Sequence, residues 1–282
     1  LPIKKGESVV FTAGLSPINT RTLKKLFDAE KASRTSRSDF YNCLFAAVRQ
    51  FYNKKDDGYY LLAGYPWFKF RARDEFIALP GATLAIGEIS MFEKMMEVGV
   101  VAVRDFIQGK PKSTKIKEVS SPDVLLWFIW AIQQYALSTS IKQAAQKYGD
   151  VLKEIIEFIR TQKHVNLFLH VNGLVYTNGR QKPATWMNAM ENGSPITPRT
   201  GYVVEINASW YNALRFVAEV SVALNNQNYA DILNYQAEIV RQSFVEVFWN
   251  GIYLYDYVDG QYQDREVRPN MIFAVSLPYS PL

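Results

Sequence analysis

The chain has 282 residues, of which 48% are hydrophobic, 14% aromatic and 21% charged, enough for one large core or two modest domains. Its net charge of +5 is dispersed, with local density only near Lys4–Lys5, Arg21–Lys25, Arg71–Arg73 and Lys110–Lys117. No long basic stripe can meet several phosphates at once, so a nucleic-acid partner is excluded, and no apolar run reaches the length that a membrane span needs.

In chain order, residues 8–13 (SVVFTA) are β-branched and aromatic, lie between Gly6 and Gly14, and read as a short strand. Residues 21–34 are a polar, charged helix or linker. Residues 1–38 are therefore expected to be a strand and linker, the end of a β-domain that is otherwise absent, and 39–282 the main domain. The start without Met fits a mature form, a cleaved product or a cloned piece. Cys43, the sole cysteine, excludes an intrachain disulfide and fits a reducing, cytoplasmic compartment. It stands in an apolar helical run and is expected to be a small buried hydrophobe.

Beyond residue 34 the chain reads as helix after helix, of two alternating kinds. Residues 86–106 carry Ile86, Ile89, Met96, Val100 and Val103 on one face, whereas 123–137 (DVLLWFIWAIQQYAL) is apolar almost all round. Residues 141–161 return to a single stripe through Ala144, Tyr148, Leu152, Ile155 and Ile159, with Gly149 marking a break. Residues 207–224 are again apolar nearly all round, and 229–249 are striped through Leu233, Ala237, Val240, Phe244 and Val247. Buried helices alternating with surface helices are what two concentric layers require. The expected fold is all-α, an (α/α)6 barrel or toroid. An irregular all-α domain is the plainer alternative, and the absence of a fixed period argues against a solenoid.

Polar residues gather just ahead of the inner helices: Asp74 after GYPWFKFRAR, Asp123 before 123–137, Glu205 and Asn207 before 207–224, and Arg268 and Asn270 before the last apolar run, 271–277. In a two-layer barrel these helix starts share one rim. Each Asp or Asn can also be an ordinary helix cap, and for Asp123 alone the cap is the favoured reading.

Residues 185–214, TWMNAMENGSPITPRTGYVVEINASWYNAL, combine aromatic rings, an arginine, a carboxylate and amides in one loop ahead of a helix. Flat apolar faces suit sugar rings, and planar polar groups suit hydroxyls. A packed loop can hold the same residues. No Gly-rich phosphate loop and no Gly-x-Ser-x-Gly is present. His164 and His170 have no Cys, Asp or Glu cluster near them, so neither a metal nor a cofactor is expected.

The order and spacing of several motifs resemble the glycogen debranching enzyme family, in its amylo-α-1,6-glucosidase domain. They are Ala63–Phe68 (AGYPWF), Arg73-Asp74, Leu79-Pro80-Gly81, Asp123 with Leu126-Trp127-Phe128, Thr185-Trp186-Met187, Pro195–Arg199, Val204–Asn207, Trp210-Tyr211-Asn212 and the ending from Arg268 to Leu282. The resemblance implies an (α/α)6 toroid that acts on the α-1,6 branch points of glycogen or a related α-glucan oligosaccharide, with a carboxylate acid and base. It implies sugar contacts from Tyr65, Trp67, Arg73, Asp74, Asp123, Trp186, Arg199, Glu205, Asn207, Trp210, Arg268 and Asn270.

Three departures matter. The family's general-acid aspartate follows Thr-Trp-Met, and here that position is Asn188. The family's Trp-Gly before Arg-Asp is here Arg71-Ala72. The family's base lies near a Tyr-His-x-Gly segment beyond SLPYSPL, and no such segment occurs in these 282 residues. About eight of the twelve helices of a closed ring are counted, so the expectation is a partial barrel with little or no hydrolytic activity. A non-catalytic glucan-binding homologue is the alternative, and an unrelated all-α scaffold is a third reading.

Overall fold

The computed structural model describes residues 2–13, 19–55 and 58–282. The chain divides into two compact units, Leu1–Phe51 and Tyr52–Leu282. The sequence-based boundary at 38/39 therefore falls inside the first unit.

In the first unit, residues 8–13 lie in no ladder with any described residue and are mostly exposed. A strand needs a second strand to take its N–H and C=O groups, and no strand lies among the described residues of that unit. Gly14, expected to bound the run, lies outside the described residues. Helix α1 (Leu23–Ser33) follows a 3-10 turn whose Asn19 side chain accepts a hydrogen bond from Arg21 N at 3.0 Å. Helix α2 (Phe40–Arg49) is capped by Asp39, which accepts from Asn42 N at 2.9 Å. Neither helix buries a residue, and Cys43 is exposed rather than buried. An apolar face is buried only where another element covers it, which local sequence does not reveal.

The second unit holds the core. Strands β1 (Tyr52–Lys55) and β2 (Gly58–Leu61) form an antiparallel pair ahead of α3 (Ala72–Ala82). Then come α4 (Ile89–Ile107), α5 (Val124–Ser138) and α6 (Ile141–Arg160). Helix α5 packs on α3 and α6, and is buried on nearly every side, as its unbroken apolar run requires. Helix α6 is amphipathic and capped by Ser140, whose hydroxyl accepts from Gln143 N at 3.2 Å. The expected break at Gly149 does not occur. The helix runs through, because the missing side chain lets Leu224 and Val220 come close.

Residues 185 onward are expected to be one loop ahead of a helix, and the connection after α6 is longer than that. That connection contains strands too short for alternation to be seen in sequence. These are β3 (Phe168–Leu169), β4 (Val175–Thr177), β5 (Met190–Glu191), β6 (Ser194–Pro195) and β7 (Gly201–Val203). Strand β7 runs directly into α7 (Val204–Ala223), which packs between α5, α6 and the striped α8 (Gln227–Phe248). Strands β8 (Tyr257–Asp259) and β9 (Tyr262–Gln263) complete a five-stranded antiparallel sheet of order β3-β4-β7-β8-β9. Strands β5 and β6 form a separate hairpin. A 3-10 turn (Pro269–Ile272) and a short α9 (Phe273–Ser276) end the unit. The domain is thus mostly helical with small sheets. No described helix is long and apolar enough to cross a membrane.

Candidate active site

Two buried ion-pair groups sit at helix starts in the second unit. The first joins α3 to α5. Arg73 donates to both carboxylate oxygens of Asp123, Nε to Oδ2 at 2.7 Å and an Nη to Oδ1 at 2.8 Å. Trp127 Nε1 also donates to Asp123 Oδ2, at 3.2 Å. Asp123 occupies the cap position of α5 yet makes no cap hydrogen bond with its side chain. The side chain is spent on a partner fifty residues away, which the capping reading did not foresee. Burial alone would lower the Arg73 pKa, but the Asp123 charge outweighs it and holds the guanidinium above its ordinary range.

The second group is larger and centres on Arg199. Its guanidinium binds both oxygens of Glu205, one of them at 2.7 Å, and both oxygens of Asp256, at 2.7 and 2.8 Å. It also donates to Thr185 Oγ1 at 3.2 Å. Arg268 adds a second positive charge, 2.8 Å from Asp256 and 2.8 Å from Asp264. Asn270 Nδ2 donates to Asp256 Oδ1 at 2.7 Å. Two guanidiniums thus face three carboxylates in a nearly dry site, where Arg199 and Glu205 are each 3% exposed and Asp256 is fully buried. Burial pushes the Glu205 carboxyl up, and the Arg199 contact only partly pulls it back. For Arg199 the order is reversed: burial would lower it, but Glu205 and Asp256 hold it above its usual value.

This group anchors the residues before Asn188 one by one. Thr185 accepts from Arg199. Trp186 Nε1 donates to Asn270 Oδ1 at 2.9 Å, and Met187 Sδ accepts from Asn270 Nδ2 at 3.4 Å. Asn188 N then donates to Trp186 O at 2.9 Å in a tight turn, and the Asn188 side chain is exposed. Beyond it the β5–β6 hairpin closes on Asn192-Gly193, both at positive φ, the pairing that a two-residue turn demands. Position 188 is therefore an exposed residue held between two anchored segments.

The two groups are linked through aromatic contact. Trp127 meets the Phe273 ring edge-on at 5.5 Å, and Phe273 opens α9 directly after the turn that carries Asn270. The remaining residues singled out in the sequence fall in different places. Asp74 and Trp186 are exposed, as are Tyr65 and Trp67, and Trp67 is 81% open to solvent. Arg71 lies over the Phe68 ring at 5.3 Å in the same loop. Asn207 and Trp210 are fully buried. Asn207 exchanges hydrogen bonds with both backbone groups of Val175 and donates to Val203 O, while Trp210 Nε1 donates to Gly173 O at 3.2 Å. With no exposed surface, these two tie the segment 173–175 and β7 to α7.

Asp256 and Asp264, which fall in YLYDYVDGQYQD (253–264), were missed because that run carries no helical period and none of the motifs that mark the site. Glu75 was missed beside Asp74. It is 1% exposed, one oxygen accepts weakly from Leu61 N at 3.4 Å, and the other has no partner. Burial pushes its carboxyl up to about 8. No cluster of three metal-ligating side chains occurs among the described residues.

No curated protein matches the chain. A family model described as amylo-alpha-1,6-glucosidase matches residues 45–282, which takes in all of the site just described. From the motifs of the sequence and from this match over most of its length, the chain belongs to the amylo-alpha-1,6-glucosidase family.

Proposed function

We propose that this domain binds the α-1,6 branch of an α-glucan and that, with asparagine at position 188, it hydrolyses that bond feebly or not at all. The observation that carries the reading is the anchoring of Thr185, Trp186 and Met187 to a buried ion network, which holds the next side chain, Asn188, at a fixed and solvent-facing point. Glucoside hydrolysis needs one carboxyl to protonate the leaving oxygen and a second to direct water. An amide at the first position can hold the glycosidic oxygen by hydrogen bonds but has no proton to transfer near neutral pH. Exposed Trp67, Tyr65 and Trp186 offer ring faces for glucose units, and Asp74 an acceptor for hydroxyls. The helix starts of α3, α5 and α7 on one rim of a toroid would gather these groups. A cytoplasmic setting agrees with the lone cysteine.

A non-catalytic, glucan-binding role is the second reading, and the same Asn188 favours it. The test is titration of a branched maltooligosaccharide by calorimetry, beside an assay for released glucose. We expect binding without glucose release. Strong glucose release from this sequence would overturn the assigned role of Asn188, and failure to bind branched or linear oligosaccharide would overturn the glucan reading itself. Asn188→Asp, in a protein that also carries the base, is expected to raise hydrolysis by about 10²–10⁴-fold.

A further inference from the structure

We infer that the groove between α4, the loop 108–121 and the end of α6 is a binding site for a small phosphate ester with a flat ring body, of the nucleoside phosphate class. The groove shares no lining residue with the ion-pair groups above and does not depend on the glucan reading. It encloses about 580 Å³, the size of a small-ligand pocket. Its floor is apolar, made by Ala102, Phe106, Ile116, Val119 and Phe158. Its rim carries Lys110, Lys112 and Lys163, all exposed.

None of these lysines has a carboxylate within 4 Å among the described residues. The acidic groups nearby are already engaged. Asp105 accepts from Ser113 N at 2.9 Å and from Ser113 Oγ at 2.6 Å, which folds the loop back on α4. Glu118 pairs with Arg71 at 3.5 Å. A second groove shares Lys112, Thr114, Ile116 and Ser120 and adds Lys69, Lys115 and Lys117. The loop thus presents lysines to both sides, with the Thr114 and Ser120 hydroxyls between them.

Charge and floor together define the ligand. Ammonium groups spaced around a cavity attract a multiply charged anion, and phosphate suits them better than a single carboxylate. The Phe106 and Phe158 rings meet edge-on at 5.5 Å and back the cavity with aromatic surface. A bare inorganic anion would leave that floor unused, and a neutral sugar would leave the lysines unused. The loop is also fixed rather than slack, since Lys117 N donates to Phe70 O at 2.9 Å and Ala72 N to Lys117 O at 3.0 Å.

Calorimetric titration of the whole chain with ADP, adenosine, inorganic phosphate and glucose 6-phosphate tests this. ADP is expected to bind at least about tenfold more tightly than each of the other three. The double variant Lys112→Glu with Lys163→Glu is expected to weaken ADP at least about tenfold, with an unchanged melting temperature. Lys24→Glu with Lys25→Glu, an equal charge change in the first unit, is expected to leave ADP binding as it was. Equal affinity for ADP and phosphate would reduce the site to nonspecific charge and overturn the proposal. So would tighter binding of glucose 6-phosphate, ADP binding that survives the groove variant, or no ADP binding at millimolar concentration.

Discussion

Arg199 shows how a single buried side chain can organise the groups around it. With 3% of its surface exposed, it is saturated by Glu205, Asp256 and Thr185. Its role is therefore to position those groups and to neutralise two carboxylates in a dry place. Such a pair stabilises little relative to an apolar filling, yet breaking it leaves charges buried alone. Arg199→Leu is accordingly expected to cost about 3–5 kcal/mol of stability, read as a lower midpoint in urea unfolding. Asp256→Asn removes the charge but keeps one oxygen, so it takes an acceptor either from Arg199 and Arg268 at Oδ2 or from Arg199 and Asn270 at Oδ1. Asn188 is the opposite case, an exposed residue whose own contacts are few and whose neighbours are all tied down.

At the scale of elements, the loop 185–199 is the unit that matters. Arg199 closes it at one end through Thr185, Asn270 fixes Trp186 and Met187, and the β5–β6 hairpin stiffens its far side. The neighbouring chain approaches so closely that a side chain at Gly179 would collide with the backbone oxygen of Arg199. Removing the Asn270 amide should loosen this loop while leaving the helices intact. Asn270→Ala is expected to speed amide hydrogen exchange in residues 186–196 by about tenfold, the size of one lost hydrogen bond, while exchange in α5 and α7 stays slow. Uniform acceleration across the domain would instead mean that Asn270 holds up the whole fold.

For the molecule as a whole, two buried titratable groups pull stability in opposite directions with pH. The folded pKa of Glu75, about 8, lies above its ordinary 4.5, so the fold favours its neutral form. The stability that goes with this is fully present below pH 4.5 and is lost as pH rises toward 8. His164 is lowered by burial from 6.5 to about 4, so the fold favours its neutral form too. Its contribution is present above pH 6.5 and is lost as pH falls toward 4. Between pH 4.5 and 6.5 the two slopes oppose each other. Glu75→Gln removes one of them. The variant is expected to match the parent near pH 4.5 and to exceed it by about 3 kcal/mol at pH 7, measured by denaturant unfolding across that range. An advantage independent of pH would show that Glu75 stays ionised in the fold.

Much of this molecule follows from local order along the chain. The apolar periods of 123–137, 141–161, 207–224 and 229–249 predict helices, and α5 to α8 form there within a few residues, because a stripe or a full apolar surface fixes the period of the backbone that must bury it. The family was likewise legible, since its motifs are contiguous runs such as TWM and TPR whose residue types and spacing survive without any knowledge of contacts. Residues 8–13 and Cys43 mark the limit. Their sequence suits a strand and a core, but neither forms without a neighbour to pair with or pack against. The partners inside the site are of the same kind. That Asp123 meets Arg73 and not its own helix start, that Asp256 joins Arg199 at all, that Asn207 and Trp210 turn inward, and that Glu75 is buried without a charge partner are long-range facts. Tertiary structure alone decided them, because a carboxylate's partner and its exposure depend on which distant segment folds against it, whereas the helical period depends only on residues three and four places away.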